Sequence, residues 1–333
     1  MRKGILAAGN FIVDTVKIID TWPTQDSLCN ILSQSSSNGG GPYNILKDLA
    51  MMKADFPLYG LGCIGNDAWG KYILDDCKKH GIDTRLMVFS VQKPTSYTDV
   101  MTVKTDGRRT FFHNRGANAE LNVEHFSFEN INAKIFHLAY LMLLDALDSI
   151  NESGTTGAAI VLQKAKSNGF ITTADVVSEN SGKFKETVAC SLPYIDYLFV
   201  NEYEAEKITG ISTTINHQPD VAACEKACEN LLQMGVNQWV VLHFPAGAVA
   251  VSKSGEKLFQ KSLQLPKEYV KGTVGAGDAF AAGVLYGIHE NWAMAKCLQL
   301  AVCTAAACLS EPTCSDGLLT VEQCLALVGK FGR

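Results

Sequence analysis

No block of like charge interrupts the 333 residues and the net charge is −5, so the chain has no electrostatic footprint for nucleic acid. A long apolar run is missing as well, which gives no membrane-spanning segment. The opening MRKGILAAGNFIVD is basic and then apolar, but Asn10 and Asp14 break it before a signal-peptide pattern develops. It reads as a first β-strand. Cys-x-x-Cys pairs are absent: eleven cysteines, an odd number, lie scattered, which speaks against a zinc site or a disulfide framework and for buried thiols in a reducing cytoplasm. Cys224 and Cys228, four apart on an expected helix, could share a face without binding anything. There is no G-x-x-x-x-G-K-[ST] loop, so any phosphate loop is of another kind. Internal repeats and low-complexity linkers are also lacking, and the remaining partners are small molecules.

What is present is an alternation of short apolar strands and longer helical patterns. GILAAG precedes a glycine run and the helix PYNILKDLAMM, with Pro42 suited to a first helical turn. FPLYGLGCIG leads into DAWGKYILDDCKKHG, closed by Gly81. Further strands are expected at KIFHLAY, FITTADV, IDYLFV and QWVVLHF, and helices near 155–168, 202–209, 219–234, 292–309 and 320–330. That order predicts an α/β fold, a doubly wound, mostly parallel sheet flanked by helices. Residues 11–38 and 95–113 break the pattern with strands that have no intervening helix, and Asp106-Gly107 is a hairpin signal. They predict a small β-flap that could cover a ligand or carry a dimer contact.

Three glycine clusters compete for a functional reading. GLGCIG, from Gly60 to Gly65, formally matches a dinucleotide fingerprint, but the helix is expected only from Asp67, and Asp83, the acid about twenty residues on, falls in a loop. A dehydrogenase is a poor second choice. In KGTVGAGDAFAAGVLYGIHE, from Lys271 to Glu290, the apolar Phe280, Val284, Leu285 and Ile288 recur at helical spacing and put Asp278 in a first helical turn. There the backbone amides are unpaired and the dipole is positive, so Gly275-Ala276-Gly277-Asp278 can cradle an anion. An aspartate at such a place is ordinarily a cap. The run SNGGGPYNIL opens another helix, with Asn44 offering a donor and an acceptor, and Asp14 ends the first strand on the same side.

Four stretches in this order, GGGPYN, GCIGNDAWG, NEYEAEKITG and GTVGAGDAFAAG, resemble the ribokinase-like (PfkB) family of carbohydrate kinases over nearly the whole chain. The resemblance implies one ribokinase-like α/β domain over 1–333 with lid strands inserted from about 11–38 and 95–118. It implies transfer of the γ-phosphoryl group of ATP to a sugar hydroxyl, with ATP and Mg²⁺ as cofactors. Position by position, Asp278 matches the family's catalytic base and Gly275, Ala276 and Gly277 its anion hole. Asp14, Gly40 and Asn44 match sugar-contacting positions, and Asn201, Glu204 and Thr273 the phosphate and magnesium end of ATP, Glu204 through water. The lid could also hold two chains together as a homodimer.

Departures from the pattern bear on the ligands. Gly272 stands where many members carry an Asp near a monovalent cation, and the family's T-x-G-x-x-G falls on LHFPAG, so Leu242 and Phe244 replace Thr and Gly. Leu46 follows where a small residue is common. Arg115, just past the lid, would suit a carboxylate or phosphate on the substrate, or else pair with an acid. Arg108 and Arg109 read as solvated, and His113 and His137 as structural. A nucleoside kinase of the same fold is an alternative, with Tyr43 and Tyr97 free to meet a base. A sugar-binding protein without catalysis is another, against which Asp278 argues.

Overall fold

The protein was analysed as a computed structural model, which describes residues 2–216 and 218–332. Side chains alternate across a strand, and here the alternation divides the apolar residues between two cores. Ile5 and Ala7 of the strand Ile5–Gly9 belong to one core, Leu6 and Ala8 to the other. The strand Trp239–Phe244 splits likewise, with Val241 in the first core and Val240 and Leu242 in the second. Strands apolar on both faces need cover on both. Helices Gly41–Met51, Ala276–His289 and Met294–Cys308 close the first core; Gly157–Ser167, Glu202–Thr209 and Val221–Gln233 close the second.

The main sheet has nine strands, in the order Lys257–Lys261, Gly247–Ser252, Trp239–Phe244, Tyr197–Asn201, Ile171–Val176, Ile135–Leu141, Ile5–Gly9, Leu58–Leu61 and Ile82–Asp83. From Ile82–Asp83 through Trp239–Phe244 every pairing is parallel, and the other two strands join by antiparallel pairing. This is the doubly wound α/β sheet that the alternation predicts. Helix ends follow local chemistry: Asp67, Thr156 and Asp220 accept from amides in the first turns of Ala68–Lys79, Gly157–Ser167 and Val221–Gln233. Asp83 is the second residue of an edge strand rather than part of a loop. The helix after GLGCIG begins at Ala68, three residues past the motif, with Asp67 as its cap.

A second, four-stranded sheet has the order Ile31–Gly39, Ile12–Ile19, Tyr97–Val103 and Arg109–Asn114. The hairpin between its last two strands turns at Gly107, whose φ of 69° is the left-handed conformation glycine allows. Asp14 sits in Ile12–Ile19 and not at the end of the first strand. The main-sheet strand stops at Gly9, where φ is 134°, and the chain has already crossed into the small sheet. Trp22 stacks on Phe112 with ring centroids 6.2 Å apart, and Phe111, Phe112, Ile31 and Leu32 are exposed.

Helix Ala276–His289 is fixed by close contact with Met294–Cys308. A Cβ on Gly283 would lie 2.7 Å from Ala301 Cα, and the Thr304 hydroxyl donates to the Ala279 carbonyl at 2.7 Å. Gly283→Val, which forces these helices apart, is expected to lower stability by about 2–3 kcal/mol, read from the urea midpoint. An unchanged midpoint would contradict the close-packing account.

Candidate active site

The first strand, Ile5–Gly9, lies between Leu58–Leu61 and Ile135–Leu141, so the chain winds away from it in both directions. In such sheets the crevice beyond the carboxyl ends of the strands takes the ligand. Tyr140, Asp175, Asn201 and His243 stand at or near those ends, and the start of Ala276–His289 faces them.

Asp278 is the third residue of that helix, whose N-cap is Gly275 with φ 81° and no side-chain capping bond. The capping role open to it in the sequence is therefore not taken. The residue is 5% exposed, and its carboxylate accepts from Asn44 Nδ2 at 2.7 Å and from the Tyr140 hydroxyl at 3.0 and 2.9 Å. Burial pushes its pKa up to about 7; the charges of Asp175 and Asp14 add to this, and the bonds from Asn44 and Tyr140 oppose it. Beside it, the amides of Ala276 and Gly277 lie in the first helical turn, where no helical carbonyl can receive them. Gly275 has room for no side chain, since a Cβ would lie 2.7 Å from that of Cys314.

The glycine run before Asn44 is explained by contacts. A Cβ on Gly39 would collide with the Asp14 carboxylate, one on Gly40 with the Asn10 carbonyl, and one on Gly41 would lie 2.9 Å from the Tyr140 ring. Gly40, with φ 96°, is the N-cap of Gly41–Met51. The same turn leaves Asn44 Oδ1 buried and without a partner, and both polar atoms of Asn38 likewise. Directly across the small sheet, Ser37, Asp14, Thr98 and His113 occupy one row. His113 Nδ1 lies 3.0 Å from the Thr98 hydroxyl, and its Nε2 is buried without a partner. Burial holds Asp14 up at about 6 against a lowering bond from Thr98, and it pushes His113 down, with the charge of Arg115 adding to it.

Two cavities meet at the loop. One of about 260 Å³ is lined by Tyr140, Asp175, Asn201, Glu204, Gly277 and Asp278. The other, about 520 Å³, is lined in part by Phe244, Leu263, Thr273, Ala276 and Phe280, and shares Asn201, His243 and Gly277 with the first. Asn201 and Glu204 form a reciprocal capping box at Glu202–Thr209, which gives both a structural role. Glu204 is nonetheless 4% exposed; burial pushes it up to about 8, against lowering bonds from the Asn201 backbone and Ser178. His243 is driven down to about 4 by burial.

The residues singled out in the sequence do not all converge. Asp278, Gly275, Ala276, Gly277, Asn44, Asn201, Glu204 and Thr273 border the joined cavities or touch a group that does, and Asp14 and Gly40 adjoin the glycine turn. Arg115 is turned to Asp145, its Nη1 3.1 Å from the carboxylate, and donates to the Met142 carbonyl at 3.5 Å. At Gly272 a Cβ would lie 2.9 Å from Pro312 Cα, so backbone fills the place of a carboxylate. Arg109, read as solvated, borders a cavity with Tyr140 and Thr273. His137 is structural, with Nδ1 2.9 Å from the Thr173 hydroxyl. Sequence reasoning missed Tyr140, Asp175, His243 and the buried Asp48, one helical turn beyond Asn44. Asp48 was the findable one, an acid four residues beyond Asn44 on a helix whose other buried residues are mostly apolar.

The fold is that of the ribokinases. The solved structure of an Arabidopsis thaliana ribokinase complexed with ribose and ATP matches with a TM-score of 0.81 at 22% identity, covering 98% of this chain and 99% of that one. A Methanocaldococcus jannaschii nucleoside kinase, an archaeal member of the ribokinase family, gives 0.75 at 19% identity, with 98% of each chain covered. The chain belongs to the pfkB family of carbohydrate kinases, whose family model matches residues 7–321. Among curated relatives, a 5-dehydro-2-deoxygluconokinase of Geobacillus thermodenitrificans is 24% identical over 292 residues, 86% of this chain and 82% of that protein. Among the described residues no helix is long and apolar enough to cross a membrane.

Because burial raises the pKa of Asp278, the folded chain holds the carboxyl proton more tightly than the unfolded one. The stability this contributes is present at pH 4 and is lost as pH rises through about 7. Asp278→Asn is therefore expected to melt at a higher temperature than the native chain at pH 8, with the gap closing toward pH 4. Parallel melting curves across that range would refute the buried-carboxylate account.

Proposed function

We propose that the chain is an ATP-dependent carbohydrate kinase that transfers the γ-phosphoryl group to a sugar or sugar-acid hydroxyl, with Asp278 as base. The observation that carries this reading is a carboxylate with its pKa raised to about 7, standing at a helix N-terminus where two cavities join. A base that titrates near neutral pH can take a proton and later release it. The sugar oxygen attacks the γ-phosphorus, its proton passes to Asp278, and ADP leaves from the other side. Amides of Gly275, Ala276 and Gly277 offer donors to the charge on the transferring group.

In this reading the larger cavity takes the nucleotide, with Thr273 and Asn201 toward its phosphates. The sugar lies under the small sheet, which acts as a lid, against Asp14, Gly40 and Asn44; the unpartnered Asn44 Oδ1 is an acceptor for one of its hydroxyls. Glu204 suits Mg²⁺ held through water: it supplies hard oxygen donors to the cavity, and those oxygens already accept from Asn201 and from Ser178. When bound, the ion neutralises charge on the phosphates. Arg115 reaches a substrate carboxylate only by releasing Asp145. The relatives and the ribose-bound neighbour support a sugar as acceptor. A nucleoside is less well supported, because Tyr43, left free by the sequence, is buried and donates its hydroxyl to Asp76. All eleven cysteines are unpaired, in keeping with a reducing cytoplasm.

The test is ADP release from ATP and Mg²⁺ against neutral sugars, sugar acids and nucleosides, with Asp278→Asn beside the native chain. Turnover with one class of acceptor is expected, falling below about pH 7 as the base protonates. In Asp278→Asn it should drop by orders of magnitude, about 10²-fold or more, while acceptor and ATP binding persist. Binding without turnover in the native chain would favour a sugar-binding protein. The exposed Phe111, Phe112, Ile31 and Leu32 further support pairing of two chains through their lids. A dimer mass is then expected in light scattering, and a monomer mass at working concentration would count against it.

A further inference from the structure

Asp278 is engaged by the chain's own donors. The Tyr140 hydroxyl has one proton to give, yet it stands 3.0 Å from Oδ1 and 2.9 Å from Oδ2, straddling both oxygens. Asn44 Nδ2 takes a further site on Oδ2. A phenol in that position meets the carboxylate from the front, one of the directions from which a hydroxyl can give up its proton.

Three features aim the phenol there, two of them through its backbone, so that the ring alone has to turn aside when a sugar takes its place. Its ring packs on the start of helix Gly41–Met51, so closely that a Cβ on Gly41 would lie 2.9 Å from two ring carbons. The Tyr140 amide donates to Asp175 Oδ1 at 2.6 Å, and His137 Nε2 lies 3.4 Å from the other oxygen of Asp175. The backbone sits at φ 61°, a region a bulky residue adopts only when its surroundings impose it, and such residues gather at functional sites. Tyr140 also borders both the cavity that holds Asp278 and the one beneath the lid hairpin, beside Arg109 and Phe111.

We propose that Tyr140 is a positioning residue that guards the base: in the sugar-free chain its hydroxyl occupies the acceptor's place on Asp278 and keeps water out of it, and the sugar takes that place on binding. The proposal rests on the kinase reading above. An unguarded base would hold a water where the phenol oxygen stood. That water's oxygen would bond to the γ-phosphorus of ATP while the bond from the γ-phosphorus to the bridging oxygen broke. One of its protons would pass to Asp278, and ADP and inorganic phosphate would leave.

Tyr140→Phe removes a single oxygen, keeps the ring on Gly41, and leaves a polar gap the size of a water. In ATP and Mg²⁺ without sugar, the variant is expected to release ADP about tenfold faster than the native chain, or more. With sugar present it should form less sugar phosphate than ADP, where the native chain forms equal amounts. Adding Asp278→Asn should return sugar-free ADP release to the native background. A sugar-free rate that is unchanged or lower in Tyr140→Phe, with melting unchanged, overturns the proposal. So does a rise that survives loss of the Asp278 charge. The kinase reading is judged separately, by the native chain with the acceptor panel: kinase turnover with an unchanged sugar-free rate in the variant leaves that reading standing and removes only the guard.

Discussion

The carboxylate of Asp278 ties three parts of the chain to one point. It belongs to helix Ala276–His289, it accepts from Asn44 of helix Gly41–Met51, and it accepts from Tyr140 at the end of the strand Ile135–Leu141. These bonds only partly offset the cost of burying the group, which is why its pKa stays raised. A carboxylate fully matched by donors would be a weak base. Here burial outweighs the donors, so the group that organises the crevice also keeps its appetite for a proton.

Glycine makes that meeting possible. Gly39, Gly40 and Gly41 let the backbone pass against Asp14, Asn10 and Tyr140, and Gly275 lets the helix start against Cys314. Any side chain at these places would push apart the elements whose polar groups must converge. On the far side of Ala276–His289, Gly283 performs the same service against Met294–Cys308. The helix bearing Asp278 is thus seated on both sides by absent side chains.

Much of this could be read from the order of residues. Apolar runs such as ILAAG and WVVLHF are two-sided because their alternate positions serve different cores, so strand, helix and layer were legible. The loop around Asp278 was legible because its glycines and the helical spacing after it are local signals. The row of Ser37, Asp14, Thr98 and His113 was not, since it exists only through three pairings among four strands. Tyr140 gave no sign: a tyrosine near the end of an apolar strand reads as core, and its backbone conformation turns the hydroxyl onto Asp278. Arg115 was visible as a cation, but its ion pair with Asp145 depends on a turn between distant segments. Asp14 was assigned to the wrong strand because nothing local marks where the chain leaves the main sheet.

The first strand of the chain is an inner strand of the sheet. Ile5 pairs with Leu58 on one side and with Ile135 on the other, so as the chain leaves the ribosome this apolar segment waits, with one edge open, until residue 135 and those after it have been made. Contacts so far apart in sequence form slowly, and an unpaired apolar edge meanwhile invites association with other chains. Translation speed through the first 141 residues, and the chaperones met there, therefore bear on the yield of native protein in a way that equilibrium stability does not describe.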